Sequence, residues 1–428
     1  MFVNRNERWK TAYDVCLFIA TATLSWVLIY RLIPAVEFKT FYNAASTLMS
    51  GHSPYPTPGR GEISSGHAFV YPVTTLIYFI PYSFLPFKVA LAVWRISELL
   101  FLLSGVVLLK GRIGVTASTL IVVSSFALTA FQVASIEPLL LLLLVIAWRF
   151  KNNTVVSALA LALAIGAKLF LLPLLLWLVL AKKYKSLILT ATLLLGLTLP
   201  TAAFVPSIHR YYKILQLLSR HESSSGLSIV SSLYLTLHSF TAAFWITAAL
   251  SMAFAAVASY LYRSQLITEK QLFGGIVIWS LLESPITWSH YYLLTIVPIL
   301  LLFDDVISAT AIFAGLSWLL TQPDQVSVFA IPVGVISATF LAALLSTPME
   351  RNRFYYLIRS WKKSLKAPSF ATYTVIIGAS ILLIVSALFA RHLLPSLSFD
   401  LTTSILYTFI WKRFSRDQAQ AKTQDLAP

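Results

Sequence analysis

Runs of about 20 apolar residues recur along almost the whole chain, and that is the length a helix needs to cross the ~30 Å hydrocarbon core of a bilayer. A soluble fold of 428 residues with 58% hydrophobic and 11% charged residues would have to leave much of this apolar surface in water. With a mean hydropathy of +0.80, lipid is the solvent the sequence fits. The expected fold class is therefore all-α, a polytopic transmembrane helical protein. The first run, Tyr13–Pro34, follows a polar start and has no small-residue cleavage site after it, so it reads as a retained span.

The net charge of +16 is explained by its placement. Most Lys and Arg fall in short clusters between apolar runs, among them Lys110/Arg112, Arg149/Lys151, Lys182/Lys183/Lys185, Arg263/Lys270 and residues 351–366. This is the pattern that keeps basic loops in the cytoplasm, not a nucleic-acid surface. Threading the chain on it puts both termini inside and residues 35–72 outside. A segment along the interface is expected at Pro72–Phe87, then a crossing at Lys88–Leu109. Further runs follow at about 113–131, 136–150, 153–181, 186–205, 233–262, 271–303, 306–320, 326–345, 370–390 and 397–411. Several have the length of helix pairs with tight turns, so 11–14 transmembrane helices are expected. Residues 206–226 read as an external interfacial helix with a Ser-rich loop. Residues 351–369 read as a basic cytoplasmic segment, either a helix on anionic headgroups or a plain charged loop. A catalytic module over 1–350 and a C-terminal hairpin with a tail over 370–428 complete the expected organisation. The single cysteine, Cys16, excludes an intrachain disulfide.

In such a chain the informative residues are ionisable groups at or near membrane depth, which are costly and usually face a cavity. Glu37 follows the first run, Glu137 precedes Pro138, Lys168 interrupts a long apolar stretch, and Glu283 and His290 bracket a Ser-Pro segment. Each has a plain alternative. Glu37 can be a solvated loop acid, Glu137 a helix N-terminal charge, Lys168 a snorkelling side chain and His290 a packing residue. The topology nevertheless puts Glu37, Glu137, Glu283 and His290 on one side, the external one.

The order of the surrounding motifs resembles glycosyltransferase family 87, polytopic enzymes that include polyprenyl-phosphate-mannose-dependent mannosyltransferases and have the GT-C fold. The resemblance is carried by Glu37-Phe38, Tyr42, Ala44-Ala45, Gly51-His52-Ser53-Pro54-Tyr55, Tyr71-Pro72 and Leu85-Pro86 with Trp94 beyond. It continues in Ile136-Glu137-Pro138-Leu139, in Lys168 ahead of Pro173, and in Ser284-Pro285-Ile286-Thr287-Trp288-Ser289-His290-Tyr291, ending near Phe303. The chain departs from the family pattern with Glu37 for Asp, Tyr291 for a second His, and Ala134-Ser135 for Gly-Gln.

The resemblance implies transfer of one sugar, most often mannose, from a polyprenyl-phosphate donor to a hydroxyl of a lipid or glycan acceptor. Transfer would be inverting, at the outer face of the plasma membrane, with no cofactor. Such a reaction needs a base near the acceptor hydroxyl and cations or hydrogen-bond donors for the leaving phosphate. Glu37 suits the base. His290, Lys168, Arg210 and Glu137 are candidate substrate-binding groups. Tyr42, Tyr55, Tyr71 and Trp288 are candidates to stack on the sugar, although aromatics at an interface are commonly anchors. No acid pair suited to a metal is apparent on the external side. The rival reading is a secondary transporter or lipid flippase, which would use intramembrane charges as coupling sites.

Overall fold

A computed structural model describes residues 35–57 and 68–303, apart from 112, 206–207 and 223–226, with scattered positions up to 317. These fall in the first of two compact units, Met1–Thr321 with Ser327–Ser346. The expected first span, the segment 351–369, the C-terminal hairpin and the second unit lie outside the described residues. The described residues are helical throughout, with no strand.

Leu-, Val- and Ala-rich runs form helices here because lipid offers no partner to an open backbone, so every amide must be satisfied within the segment. Among the described residues three helices are long and apolar enough to cross a bilayer, α3 (Phe87–Lys110), α9 (Tyr184–Phe204) and α12 (Phe240–Arg263), whereas α2 (Ile80–Ser83) and α11 (Ile229–Leu237) are short. On α12, Trp245, Met252 and Tyr260 are exposed, as a lipid-facing helix requires. Expected spans elsewhere are broken. The runs at 113–131 and 136–150 become α4 (Val115–Val122), α5 (Ser125–Val133) and α6 (Glu137–Arg149). The chain bends by 119° between α5 and α6, which together make either a broken fourth span or a re-entrant loop. The run at 153–181 divides into α7 (Thr154–Ala167) and α8 (Leu174–Leu180), parted at Lys168 by a 3₁₀ turn, Leu169–Leu171. The run at 271–303 becomes α13 (Glu269–Glu283), a 3₁₀ turn at Ser289–Thr295, and α14 (Ile296–Leu302).

Each break has a local cause. Ala134 adopts a left-handed conformation (φ 53°) that closes α5, and Pro138 starts α6 at a position needing no amide hydrogen. At the end of α7, side chains of the 3₁₀ turn Val73–Tyr78 take over the backbone. Thr74 donates to the Gly166 carbonyl, Thr75 to that of Ala167 at 2.7 Å, and Tyr78 to that of Leu163 at 3.0 Å. Carbonyls that would otherwise lack partners are thereby satisfied, and the helix can stop and present Lys168. At 284–288, Thr287 donates to Leu281 at 2.9 Å and the Leu227 amide donates to Thr287 at 2.9 Å.

Residues before α3 supply a roof of aromatics. Helix α1 (Val36–Met49) buries Phe38 and Phe41, which pack with Phe79 and Trp94; the Phe41 and Phe79 rings stack at 4.3 Å. This packing pulls the first turn of α1 inward, so Glu37 is buried and not a solvated loop acid. At the opposite ends of α6, α8 and α13, Glu269 pairs with Lys151 (2.5 Å) and Lys183 (3.6 Å) and accepts from the Trp177 indole (3.2 Å). One acid therefore ties the turns before α7, α9 and α13 together.

Candidate active site

Three helix breaks and one helix start bring four ionisable side chains together. Glu37 comes from the first turn of α1, Glu137 from the first of α6, Lys168 from the α7–α8 break, and His290 from the 3₁₀ turn after α13. All four are at least nine-tenths buried. The Lys168 ammonium pairs with Glu137 Oε1 and lies 3.9 Å from Glu37 Oε1. His290 Nε2 is 3.3 Å from Glu37 Oε1 and 3.9 Å from Glu137 Oε2. Buried charges persist only when paired. Here each carboxylate has one oxygen bonded, while Glu37 Oε2 and Glu137 Oε2 have no hydrogen-bond donor among the described residues.

Tyrosines close the cluster. The Tyr71 hydroxyl donates to Glu37 Oε1, and its carbonyl accepts from Tyr55 at 3.0 Å. The Tyr291 ring lies across Lys168, centroid to Nζ 3.7 Å, and the Tyr71 ring stands 4.9 Å from the same ammonium, both at cation–π range. Burial pushes the Glu37 carboxyl up, but Lys168, His290 and the Tyr71 hydroxyl outweigh burial and hold it at about 2. Burial, then the neighbouring Glu37, push the Tyr71 hydroxyl well above its ordinary range, so it stays a donor.

Of the residues singled out in the sequence, Glu37, Glu137, Lys168, His290 and Tyr71 meet. Trp288 stacks beside His290, centroids 5.9 Å apart. Tyr55 reaches the cluster through Tyr71. Tyr42 does not reach it; its hydroxyl donates to the Leu85 carbonyl (2.8 Å) and its ring packs on Phe87, fixing α1 to the start of α3. Arg210 is half-buried on the amphipathic helix α10 (His209–Glu222), whose next residue, Tyr211, packs on Tyr55. No ion pair joins Arg210 to the cluster among the described residues. Glu283 turns away, accepting from Ser251 (2.6 Å) and the Trp279 indole (2.7 Å).

Two features escaped the sequence reading. One is the Tyr291 ring over Lys168. The other is Glu98 with Arg95, both buried on α3, with Glu98 in electrostatic reach of Glu37 and Glu137. Opposite charges three residues apart inside an apolar run share a helix face, and that was the available signal.

Broken apolar helices around a buried cluster of two carboxylates, a lysine and a histidine define a membrane-embedded helical protein with a polar centre. Residues 69–285 match Glycosyltransferase family 87, half of the chain, and the chain belongs to that family. It is a membrane glycosyltransferase, using a sugar donor and an acceptor. The matched stretch holds Tyr71, Glu137 and Lys168; Glu37, Trp288 and His290 flank it in sequence and join it in space. No curated protein and no solved structure matches the chain.

Proposed function

We propose that the protein moves a single sugar, mannose by family weight, from a polyprenyl-phosphate donor to an acceptor hydroxyl at the extracytoplasmic face of the plasma membrane. In this GT-C-type reading, transfer inverts the anomeric centre and uses no cofactor. The acceptor oxygen bonds to the anomeric carbon as the bond from that carbon to the phosphate oxygen breaks. The acceptor proton passes to Glu37, and polyprenyl phosphate leaves as an anion beside Lys168 and His290.

The observation that supports this most is the asymmetry between the two carboxylates. Glu137 has no exposed surface and is bound to Lys168. Glu37 keeps a little exposure, with Oε1 held by Tyr71 and Oε2 without a hydrogen-bond donor among the described residues, as a proton acceptor requires. A carboxylate held at about 2 is a weak base. The donor phosphate corrects this, because it competes for Lys168 and His290. Each interaction it draws off returns Glu37 towards its ordinary proton affinity. The base is thus weak until a donor is in place.

The test is to give the purified protein a panel of polyprenyl-phosphate sugars with candidate acceptors and follow release of polyprenyl phosphate. One sugar should be consumed, and Glu37→Gln should lower turnover by roughly 10²–10⁴-fold, the usual worth of a general base, while inserting normally. Full activity in Glu37→Gln removes Glu37 from the mechanism. Inertness towards every donor removes the polyprenyl-phosphate reading.

A further inference from the structure

The donor atoms of Glu37, Glu137 and His290 lie within 4.8 Å of one another, and all three residues are buried. Two carboxylates and an imidazole at this spacing are the ligand set of a Zn²⁺ or Mn²⁺ site, a small side-chain adjustment short of coordination. Glu37 Oε2, Glu137 Oε2 and His290 Nε2 are also buried without a hydrogen-bond partner among the described residues. Yet the set already faces a cation. Lys168 Nζ is bonded to one carboxylate, 3.9 Å from the other, and capped by the Tyr291 ring at 3.7 Å.

We propose that Glu37, Glu137 and His290 form a cation site whose resident is the Lys168 ammonium, held there by its own chain in the place a divalent metal ion would take. Lys168 is 2% exposed. Its backbone is extended between α7 and α8, with the carbonyls before it satisfied by Thr74 and Thr75, so the ammonium is delivered at a fixed point. A tethered ammonium differs from a metal ion in two ways. It cannot be lost to dilution or chelation. It carries one charge, which neutralises one carboxylate and leaves the other to act as a base, where a divalent ion would bind both. That second consequence rests on the sugar-transfer reading; the occupancy of the site does not.

Shortening Lys168 should therefore open the site to a metal. The full-length protein in detergent is titrated with MnCl₂ and with ZnCl₂ by calorimetry and thermal melting. Wild type should take up neither ion at the cluster in the millimolar range. Lys168→Ala should bind one ion per chain and gain roughly 3–5 °C in melting temperature at saturation. Lys168→Ala/His290→Ala should lose that gain. Absence of binding in a folded Lys168→Ala protein overturns the proposal. If Lys168→Ala does not fold, the native chain still decides. One Mn²⁺ bound per wild-type chain, and lost in Glu37→Gln, means that Lys168 is not the occupant; no such binding supports the ammonium. These readouts are binding and melting, so they stand apart from whether any sugar is transferred.

Discussion

Glu137 has no exposed surface, and its pairing with Lys168 offsets the cost of burying both groups. Removing one partner of a buried ion pair costs about 3–5 kcal/mol, since the other is left uncompensated. Replacing Tyr71 is gentler and more informative. Tyr71→Phe keeps the ring near Lys168 and deletes the hydroxyl that holds Glu37 Oε1, so turnover should fall roughly tenfold with a melting loss of only about 1 kcal/mol. Glu37 also gives the fold an acid limb. Its carboxyl is held at about 2, below the ordinary 4.5, so the stability it contributes is whole above about pH 4.5 and is lost as pH falls towards 2. Melting curves across that window should steepen for wild type relative to Glu37→Gln; parallel curves would mean that Glu37 is not held ionised. At this scale much of the cluster was legible, because a charge amid apolar neighbours is conspicuous wherever it stands. What could not be read was direction. Glu283 satisfies the same criterion as Glu137 and points to Ser251, and Tyr42 lies in the same motif as Glu37 yet packs on Phe87.

Helices that stop inside an apolar environment need their last carbonyls met, and the α7–α8 break shows how a distant turn does this. Thr74, Thr75 and Tyr78 arrive from a segment about ninety residues earlier. Hydropathy records only that residues 153–181 are one apolar run, long enough for a helix pair; nothing in that run announces that two threonines elsewhere will end its first helix. The breaks at Pro138 and Ser284-Pro285 were more legible, since proline marks them directly. Thr75→Val keeps shape and removes the hydroxyl, leaving the Ala167 carbonyl buried and unpaired at a cost of about 1–3 kcal/mol. Because Lys168 is the next residue, the same substitution should loosen the ammonium, and turnover should drop more than tenfold while donor KM changes little. A variant that melts earlier but turns over normally would show that the capping serves the fold alone. Close approach matters at the other break. A Cβ on Gly274 would stand 3.0 Å from Pro298 Cβ and 3.4 Å from its Cα, so α13 and α14 meet backbone to ring, with the turn carrying His290 strung between them.

Across the whole molecule, the lengths of the half-helices set the depth of the site. Helices α6, α7 and α13 have 13, 14 and 15 residues, so they rise about 20, 21 and 22 Å. Each runs from a turn gathered by Glu269, or adjoining one, to an end at or near the cluster. If the gathered turns mark one edge of a ~30 Å core, the cluster lies about 10 Å short of the other. Basic residues crowd the gathered end, with Lys151, Lys182, Lys183, Lys185, Arg263 and Lys270 there; the proposed function takes that end as cytoplasmic on the positive-inside rule and so needs the cluster near the external leaflet. A donor with its prenyl chain in the bilayer could then present its phosphate at that depth without leaving lipid. Labelling tests the orientation directly. In a Cys16→Ser background, His52→Cys sits in the exposed turn after α1 and Ser264→Cys in the exposed turn before α13. A membrane-impermeant maleimide added to intact cells should modify the first at once, and the second only after permeabilisation. The reverse pattern would put the cluster near the cytoplasmic leaflet, where the donor sugar would have to be presented from the inside.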